Sequence, residues 1–175
     1  MEKIWEGLSL FELEKSLEVQ RLIRITKSNS GISGPDLALA HIKLGQLLAA
    51  QMDFAPGDTT VVAIMRGGLF FAEGLYFQLG CKFQTYDPKH EAFLRPKTAN
   101  VILVDAVINT GKTIRNILEP DMVVACCVIN KKAVASFENQ LYTVRVSDNS
   151  FVGANIQAQS GTVGPDTTLR LFNMI

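Results

Sequence analysis

Two short segments of this 175-residue sequence hold the residues best suited to chemistry. The longer is Asp105-Ala106-Val107-Ile108-Asn109-Thr110-Gly111-Lys112-Thr113, which follows an apolar run at 101–104. A carboxylate at a strand tip can accept hydrogen bonds from sugar hydroxyls. Behind it, Thr110 and Thr113 offer hydroxyls and Lys112 offers charge, at the predicted start of a helix. A helix start has unpaired N–H groups and the positive end of the dipole, so the loop suits a phosphate. The alternative is that Thr110 and Thr113 are merely helix caps; the acid, the hydroxyls and the strand–loop–helix context together favour a phosphate site over it. The second segment, Arg66-Gly67-Gly68, follows a β-branched run at 59–65. Paired glycines let a backbone approach a ligand closely, and Arg66 adds a guanidinium suited to phosphate. Taken alone, that tripeptide reads as a tight turn into a helix. Gly111-Lys112-Thr113 could also close a Walker A loop. That motif needs a glycine five positions earlier, where this chain has Ala106.

The elements that must position these loops alternate between strand and helix. Leu10, Leu13 and Leu17 recur at helical spacing and predict a helix within 9–25. The polar stretch 27–34 predicts a loop, and Pro35 suits the first turn of a second helix striped by Leu37, Ala40, Leu44, Leu47 and Leu48. Strands are expected at 59–65, 81–86, 101–104, 122–129 and 142–146. Helices are expected at 69–79, stopped by Gly80, around Ile114, Ile117 and Leu118 up to Pro120, and along Val134, Phe137 and Leu141. This alternation implies a mainly parallel α/β sheet with helices flanking it. Ligands of such sheets sit at the carboxyl ends of the strands, here just after Met65 and Val104.

Bulk properties set the class. The length suits one domain, 1–175, with the N-terminal helices of residues 1–50 packed on its core. The chain is 47% hydrophobic and 19% charged, with a mean hydropathy of +0.18, as expected of a globular protein. No apolar stretch is long enough to span a bilayer, and the N-terminus lacks a signal-peptide layout, so a cytoplasmic protein is expected. Cys81, Cys126 and Cys127 form no CxxC pair, so neither a metal site nor a disulfide framework is expected, and Cys126 and Cys127, inside the apolar run MVVACCVIN, read as buried filler. The 17 basic and 17 acidic residues cancel, and no basic run exists, so no nucleic-acid partner is expected. Neither His41 nor His90 has an evident partner in the sequence.

The segment VILVDAVINTGKT resembles the phosphoribosyl-pyrophosphate (PRPP) signature of type I phosphoribosyltransferases: an apolar strand, an acid, and then Thr-Gly-x-Thr/Ser. Many members carry a second acid where this chain has Ala106; the uracil branch similarly has one acid. AIMRGGL is similar to that branch's pyrophosphate loop. Gly164-Pro165-Asp166-Thr167-Thr168-Leu169-Arg170-Leu171-Phe172 is similar to its closing segment, with the Asp166-to-Arg170 spacing in keeping. SLEVQRLIRITKSNSG resembles its N-terminal region.

The resemblance implies a type I phosphoribosyltransferase fold and transfer of phosphoribose from PRPP to uracil, with Mg²⁺ carried by PRPP, in a homodimer. It implies Arg66, Gly67 and Gly68 for pyrophosphate and Asp105 for the ribose hydroxyls. It implies Asn109, Thr110, Gly111, Lys112 and Thr113 for the 5′-phosphate. Ile108, Thr162, Val163 and Asp166 fall to the base, and Asp166 also to the metal shell. Two departures stand out. The stretch between Leu79 and Val101 is shorter than the family's β-arm, leaving Arg95 and Lys97 as the candidates to replace its PRPP-binding arginine. Lys112 stands where the family commonly has glycine; a lysine there either strengthens phosphate binding or crowds the loop. The alternative reading on the same fold is a non-catalytic regulator that senses PRPP or UMP.

Overall fold

The computed structural model describes residues 2–5, 8–149 and 152–175. Among them, seven strands form one sheet: β1 (Glu2–Trp5), β2 (Leu8–Glu12), β3 (Thr59–Ile64), β4 (Lys82–Tyr86), β5 (Asn100–Ile108), β6 (Val123–Asn130) and β7 (Leu141–Ser147). Their order is β1-β2-β7-β6-β5-β3-β4. In this sheet β1 and β2 pair antiparallel, and the other pairings are parallel. The fold is α/β, with a mainly parallel sheet and helices on its faces. Every residue of β3 is buried, as a strand covered on both faces requires.

Helices α1 (Leu17–Thr26), α2 (Gly34–Ala49) and α3 (Leu69–Leu79) cover one face. Leu44, Leu48, Phe71 and Leu75 pack there against Val61, Ile102 and Val104. The other face, with Val62 and Leu103, is closed by Ile114, Val134 and Phe137 from much shorter elements. These are α4 (Lys112–Arg115) and α5 (Lys131–Val134), one turn each. A parallel ribbon of β8 (Val152–Ala154) and β9 (Val163–Pro165) then leads into α6 (Thr167–Leu171).

Three expectations need correction. Leu10, Leu13 and Leu17 share no helix: Leu10 lies in β2, and Leu17 opens α1 with 86% of its surface exposed. Ser16 starts that helix by accepting a hydrogen bond from Val19 N–H at 3.2 Å. Ile117 and Leu118 lie beyond α4 in turns. Residues 109–122 must return from Ile108 to the level of Ile102, where Val123 pairs. That is ~20 Å along a strand, too far for a helix of this length that must also turn at both ends. For the same reason α5 stops at Val134, and Leu141 belongs to β7 rather than to a helical stripe.

Strand order fixes where a ligand can sit. From β3 the chain moves outward to β4, then returns to lay β5 on the other side of β3 and builds β6 and β7 away from it. The reversal lies between β3 and β5, and the crevice beyond their carboxyl ends is the expected binding place of an open α/β sheet. Pairing of β3 with β5 ends at Ala63↔Val104, whereas β5 runs on beside β6 to Ile108↔Ile129. Asp105 therefore sits where β3 peels away.

Candidate functional site

A cleft of about 1050 Å³ opens at this switch point. Asp105 and Arg66-Gly67, from the two sequence segments, both line it. Asp105 is half-buried, and its Oδ1 accepts a hydrogen bond from Ala106 N–H at 2.7 Å. Burial pushes its carboxyl up to about 7, with the Ala106 and Val107 N–H groups pulling the other way. The loop after β3 presses its backbone against this acid. A Cβ on Gly68 would stand 2.5 Å from the Val104 carbonyl oxygen and 3.1 Å from Asp105 Cα, so no side chain fits there. A Cβ on Gly67 would stand 3.0 Å from Thr168 Oγ1 and 3.5 Å from Asp105 Oδ1. The Met65–Arg66 peptide is cis. The exposed Arg66 guanidinium lies 5.2 Å over the Phe172 ring, a cation–π contact that holds it at the rim.

The loop after β5 forms a smaller concavity of about 200 Å³ adjoining the cleft, lined by Thr110, Gly111, Lys112 and Thr113 together with Asp105 and Ile108. Gly111 makes its turn with φ +71°, and a Cβ there would come 2.7 Å from Phe137 Cζ. The Thr110 hydroxyl accepts a hydrogen bond from Lys112 N–H at 3.4 Å. Since α4 has a single turn, its dipole is small. What the loop offers is its N–H groups, the two threonine hydroxyls and the exposed Lys112.

The structure places the remaining candidates unevenly. Ile108, Asn109 and Asp166 line the cleft. Asp166 also caps α6, its Oδ1 accepting from Leu169 N–H at 2.9 Å. Thr162 and Val163 lie outside the cleft wall, because the ribbon uses them: the Thr162 carbonyl accepts from Val152 N–H, and Val163 pairs with Val152. Gly164 and Pro165 line the cleft instead. Arg95 does not reach the site. It makes a two-pronged pair with Asp121, at 2.6 and 3.1 Å, and a further pair with Glu119. Both acids precede β6, at the end of the sheet opposite the cleft, and they hold the Arg95 pKa above its ordinary value. Lys97 is exposed and likewise outside the cleft. Lys89 and His90 line it instead, and His90 does have a partner: its Nδ1 lies 2.8 Å from Asp87 Oδ2.

Several cleft residues carried no signal in the sequence. His41 on α2 is 1% exposed, and both its ring nitrogens lack a hydrogen-bond partner among the described residues. Burial, aided by the nearby Arg170 and Arg145 charges, lowers its pKa to about 3, so the ring is neutral. Arg145 on β7 lines the same cleft, and its buried Nε also lacks a partner among the described residues. Arg170, 4% exposed, donates to the carbonyls of Ile32 (2.7 Å) and Thr26 (3.3 Å) and to Ser30 Oγ (3.0 Å). It thereby clips the α1–α2 loop, whose Thr26 to Asn29 form part of the cleft wall. Cys126 and Cys127 are buried and unbridged, and Cys81 is half-buried. Among the described residues no three His, Cys, Asp or Glu side chains converge as metal ligands. The aspartates that line the cleft are Asp87, Asp105 and Asp166.

No family model and no curated protein matches this sequence. Solved structures do. The chain is similar to the AQ2163 protein from Aquifex aeolicus, with 15% identity over 81% of this chain and 91% of that one, at a TM-score of 0.64. It is similar to TT1426 from Thermus thermophilus, with 16% identity over 76% and 96% of the two chains, at a TM-score of 0.51. A weaker likeness, TM-score 0.47, is to an orotate phosphoribosyltransferase from Aeropyrum pernix, with 19% identity over 62% and 69%. At these identities the likeness is one of fold. Among the described residues no helix is long and apolar enough to cross a membrane.

Proposed function

We propose that the protein transfers a phosphoribosyl group from PRPP to a pyrimidine base of the uracil type, releasing pyrophosphate. The observation that carries this reading is the meeting of three features around one switch point: the Arg66–Gly68 loop and Asp105 at the cleft, and the Thr110–Thr113 loop in the concavity that adjoins it at Asp105. Asp105 accepts hydrogen bonds from the ribose hydroxyls. Thr110, Gly111, Lys112 and Thr113 hold the 5′-phosphate, and Arg66 with the Gly67 amide holds pyrophosphate; the Gly68 N–H is already donated to the Ile64 carbonyl at 2.9 Å, so Gly68 serves by its lack of a side chain. The bond from the anomeric carbon to pyrophosphate oxygen breaks, a bond to the base nitrogen forms, and the nitrogen's proton passes to solvent. The chain's contribution is alignment and stabilisation of the departing charge. Mg²⁺ bound to PRPP would supply further charge neutralisation, facing Asp105 and Asp166. The reading also implies a cytoplasmic homodimer, its assembly measurable by analytical ultracentrifugation.

The deciding experiment is PRPP-dependent pyrophosphate release across a panel of free bases. Turnover with a pyrimidine supports the proposal, and turnover with purines alone removes the pyrimidine assignment. One observation favours a second reading. Arg95 is held by Asp121 and Glu119 away from the cleft, so the short segment before β5 supplies no arginine to the site. A regulator that binds PRPP or a nucleoside monophosphate without turnover needs none. Binding without pyrophosphate release on any base would establish that reading.

A further inference from the structure

Three arginines of this chain are held through their N–H donors. Arg95 is paired with Asp121 and Glu119, Arg170 donates to the Thr26 and Ile32 carbonyls and the Ser30 hydroxyl, and Arg115 donates to the Thr110 carbonyl at 3.3 Å. Arg66 is held differently. Among the described residues its guanidinium makes no hydrogen bond and no ion pair, and it rests over the Phe172 ring, 5.2 Å from the centroid. An aromatic ring attracts a guanidinium through its charge and uses none of its five N–H donors. Phe172 is itself fixed. Its ring lies 5.3 Å from that of Phe70, the second residue of α3, and packs on the cluster of Leu37, Ala38 and Leu171. Its N–H donates to the Thr168 carbonyl at 3.1 Å, one turn back along the chain. Thr168 backs the same loop, its Oγ1 standing 3.0 Å from the place a Gly67 Cβ would occupy.

The loop after β3 therefore leans on α6 at two points, four residues apart. Thr168 belongs to the cleft wall, whereas Phe172 stands behind Arg66 and outside that wall. We infer that Phe172 is the positioning residue of Arg66: it keeps the guanidinium at the cleft rim with its donors unspent, aimed at the pyrophosphate of PRPP, and touches no substrate itself. This rests on the phosphoribosyl-transfer reading and adds to it a residue that acts only through Arg66. An exposed arginine loses rotamer freedom when it closes on an anion, and one already fixed by a ring loses less. The consequence is local to the pyrophosphate end of the substrate. The loop assigned to the 5′-phosphate rests instead on Phe137, in a different apolar cluster from Phe172.

Isothermal titration with PRPP and with uridine 5′-monophosphate, both in the presence of Mg²⁺, tests the assignment. The two share the ribose 5′-phosphate, and only PRPP carries pyrophosphate. Phe172→Leu removes the ring and keeps an apolar side chain. It should weaken PRPP binding roughly 2- to 10-fold, the effect of ordering one long side chain on binding, and leave uridine 5′-monophosphate unchanged. Phe172→Tyr, which keeps the aromatic face, should restore PRPP affinity. In an Arg66→Gln background Phe172→Leu should have no further effect, because the ring acts through the arginine. If the leucine variant does not fold, Phe172→Met, whose flexible side chain fills the gap, takes its place. Tighter PRPP binding by the leucine variant would overturn the inference and make the ring a parking place that competes with the ligand. Unchanged PRPP affinity would overturn it as well. So would equal weakening of both ligands, or a loss that persists without Arg66, either of which would make Phe172 a packing residue of the C-terminal segment. Failure of the wild type to bind either ligand would sink the phosphoribosyl reading itself.

Discussion

Asp105 carries the sharpest consequences at the scale of single residues. Its folded-state pKa of about 7 lies above its ordinary 3.8. Well below its ordinary value the group is neutral in both states and costs nothing. As the pH climbs toward 7 the unfolded chain ionises while the folded one holds its proton, so stability falls across that window. The loss is of order 2–4 kcal/mol, complete once the pH passes the folded value. Asp105→Asn should remove this slope, matching the wild type near pH 4 and melting several degrees higher at pH 8; thermal unfolding from pH 4 to 8 measures it. Binding should run the other way. Only the ionised carboxylate accepts from two hydroxyls, so PRPP affinity should rise through pH 7 in the wild type and stay low and flat in Asp105→Asn. Lys112 has a simpler test. If its ammonium contacts the 5′-phosphate, Lys112→Gly should weaken uridine 5′-monophosphate binding by roughly 1–3 kcal/mol. Unchanged affinity would make it a surface residue.

At the scale of elements, two glycine contacts position the loop after β3. A Cβ on Gly74 of α3 would lie 2.1 Å from the Ile42 carbonyl oxygen, and one on Gly45 of α2 would lie 2.3 Å from that of Phe71. The two helices thus touch backbone to backbone. Gly74→Ala should force them apart, costing roughly 1–3 kcal/mol as overpacking does, and shift the Arg66–Gly68 loop at the head of α3. Chemical denaturation and PRPP titration of the variant would report both effects. Sequence patterns could not show this contact, because a glycine inside a helix looks the same whether or not another helix presses on it. The strands were legible because buried parallel strands are continuous apolar runs, as in β3, β5 and β6. The one-turn helices were not, since Ile114, Ile117 and Leu118 keep helical spacing while the chain needs extended length to return. Likewise, the motif residues of the site announced themselves by being contiguous. His41, Arg145 and Thr26 reach the same cleft from three distant elements, each as an isolated residue with no local pattern.

At the scale of the whole molecule, the cleft depends on bringing the two ends of the chain together around the sheet. Its far wall is the α1–α2 loop, remote in sequence from the C-terminal segment that faces it. That segment acts in three ways: Asp166 caps α6, Arg170 clips the loop, and Phe172 lies under Arg66. A small apolar cluster of Leu37, Ala38 and Leu171, with Ile32 and Phe172 against it, backs the clip. The clip is almost wholly buried, so removing its donors leaves the Thr26 and Ile32 carbonyls without partners rather than returning them to water. Arg170→Met keeps much of the volume and the apolar stem but none of the donors, and the expected cost is about 2–4 kcal/mol. The donors of Arg170 end on the backbone and hydroxyl of residues 26–32 and on no strand, so the loss should appear first as faster amide hydrogen exchange across residues 26–33, with β3, β5 and β6 still protected. Ligand affinity should fall with it, since the loop forms one side of the cleft. Uniform loss of protection across the sheet would instead make Arg170 part of the global folding core, and the two ends of the chain would then not be a separable closure of the site.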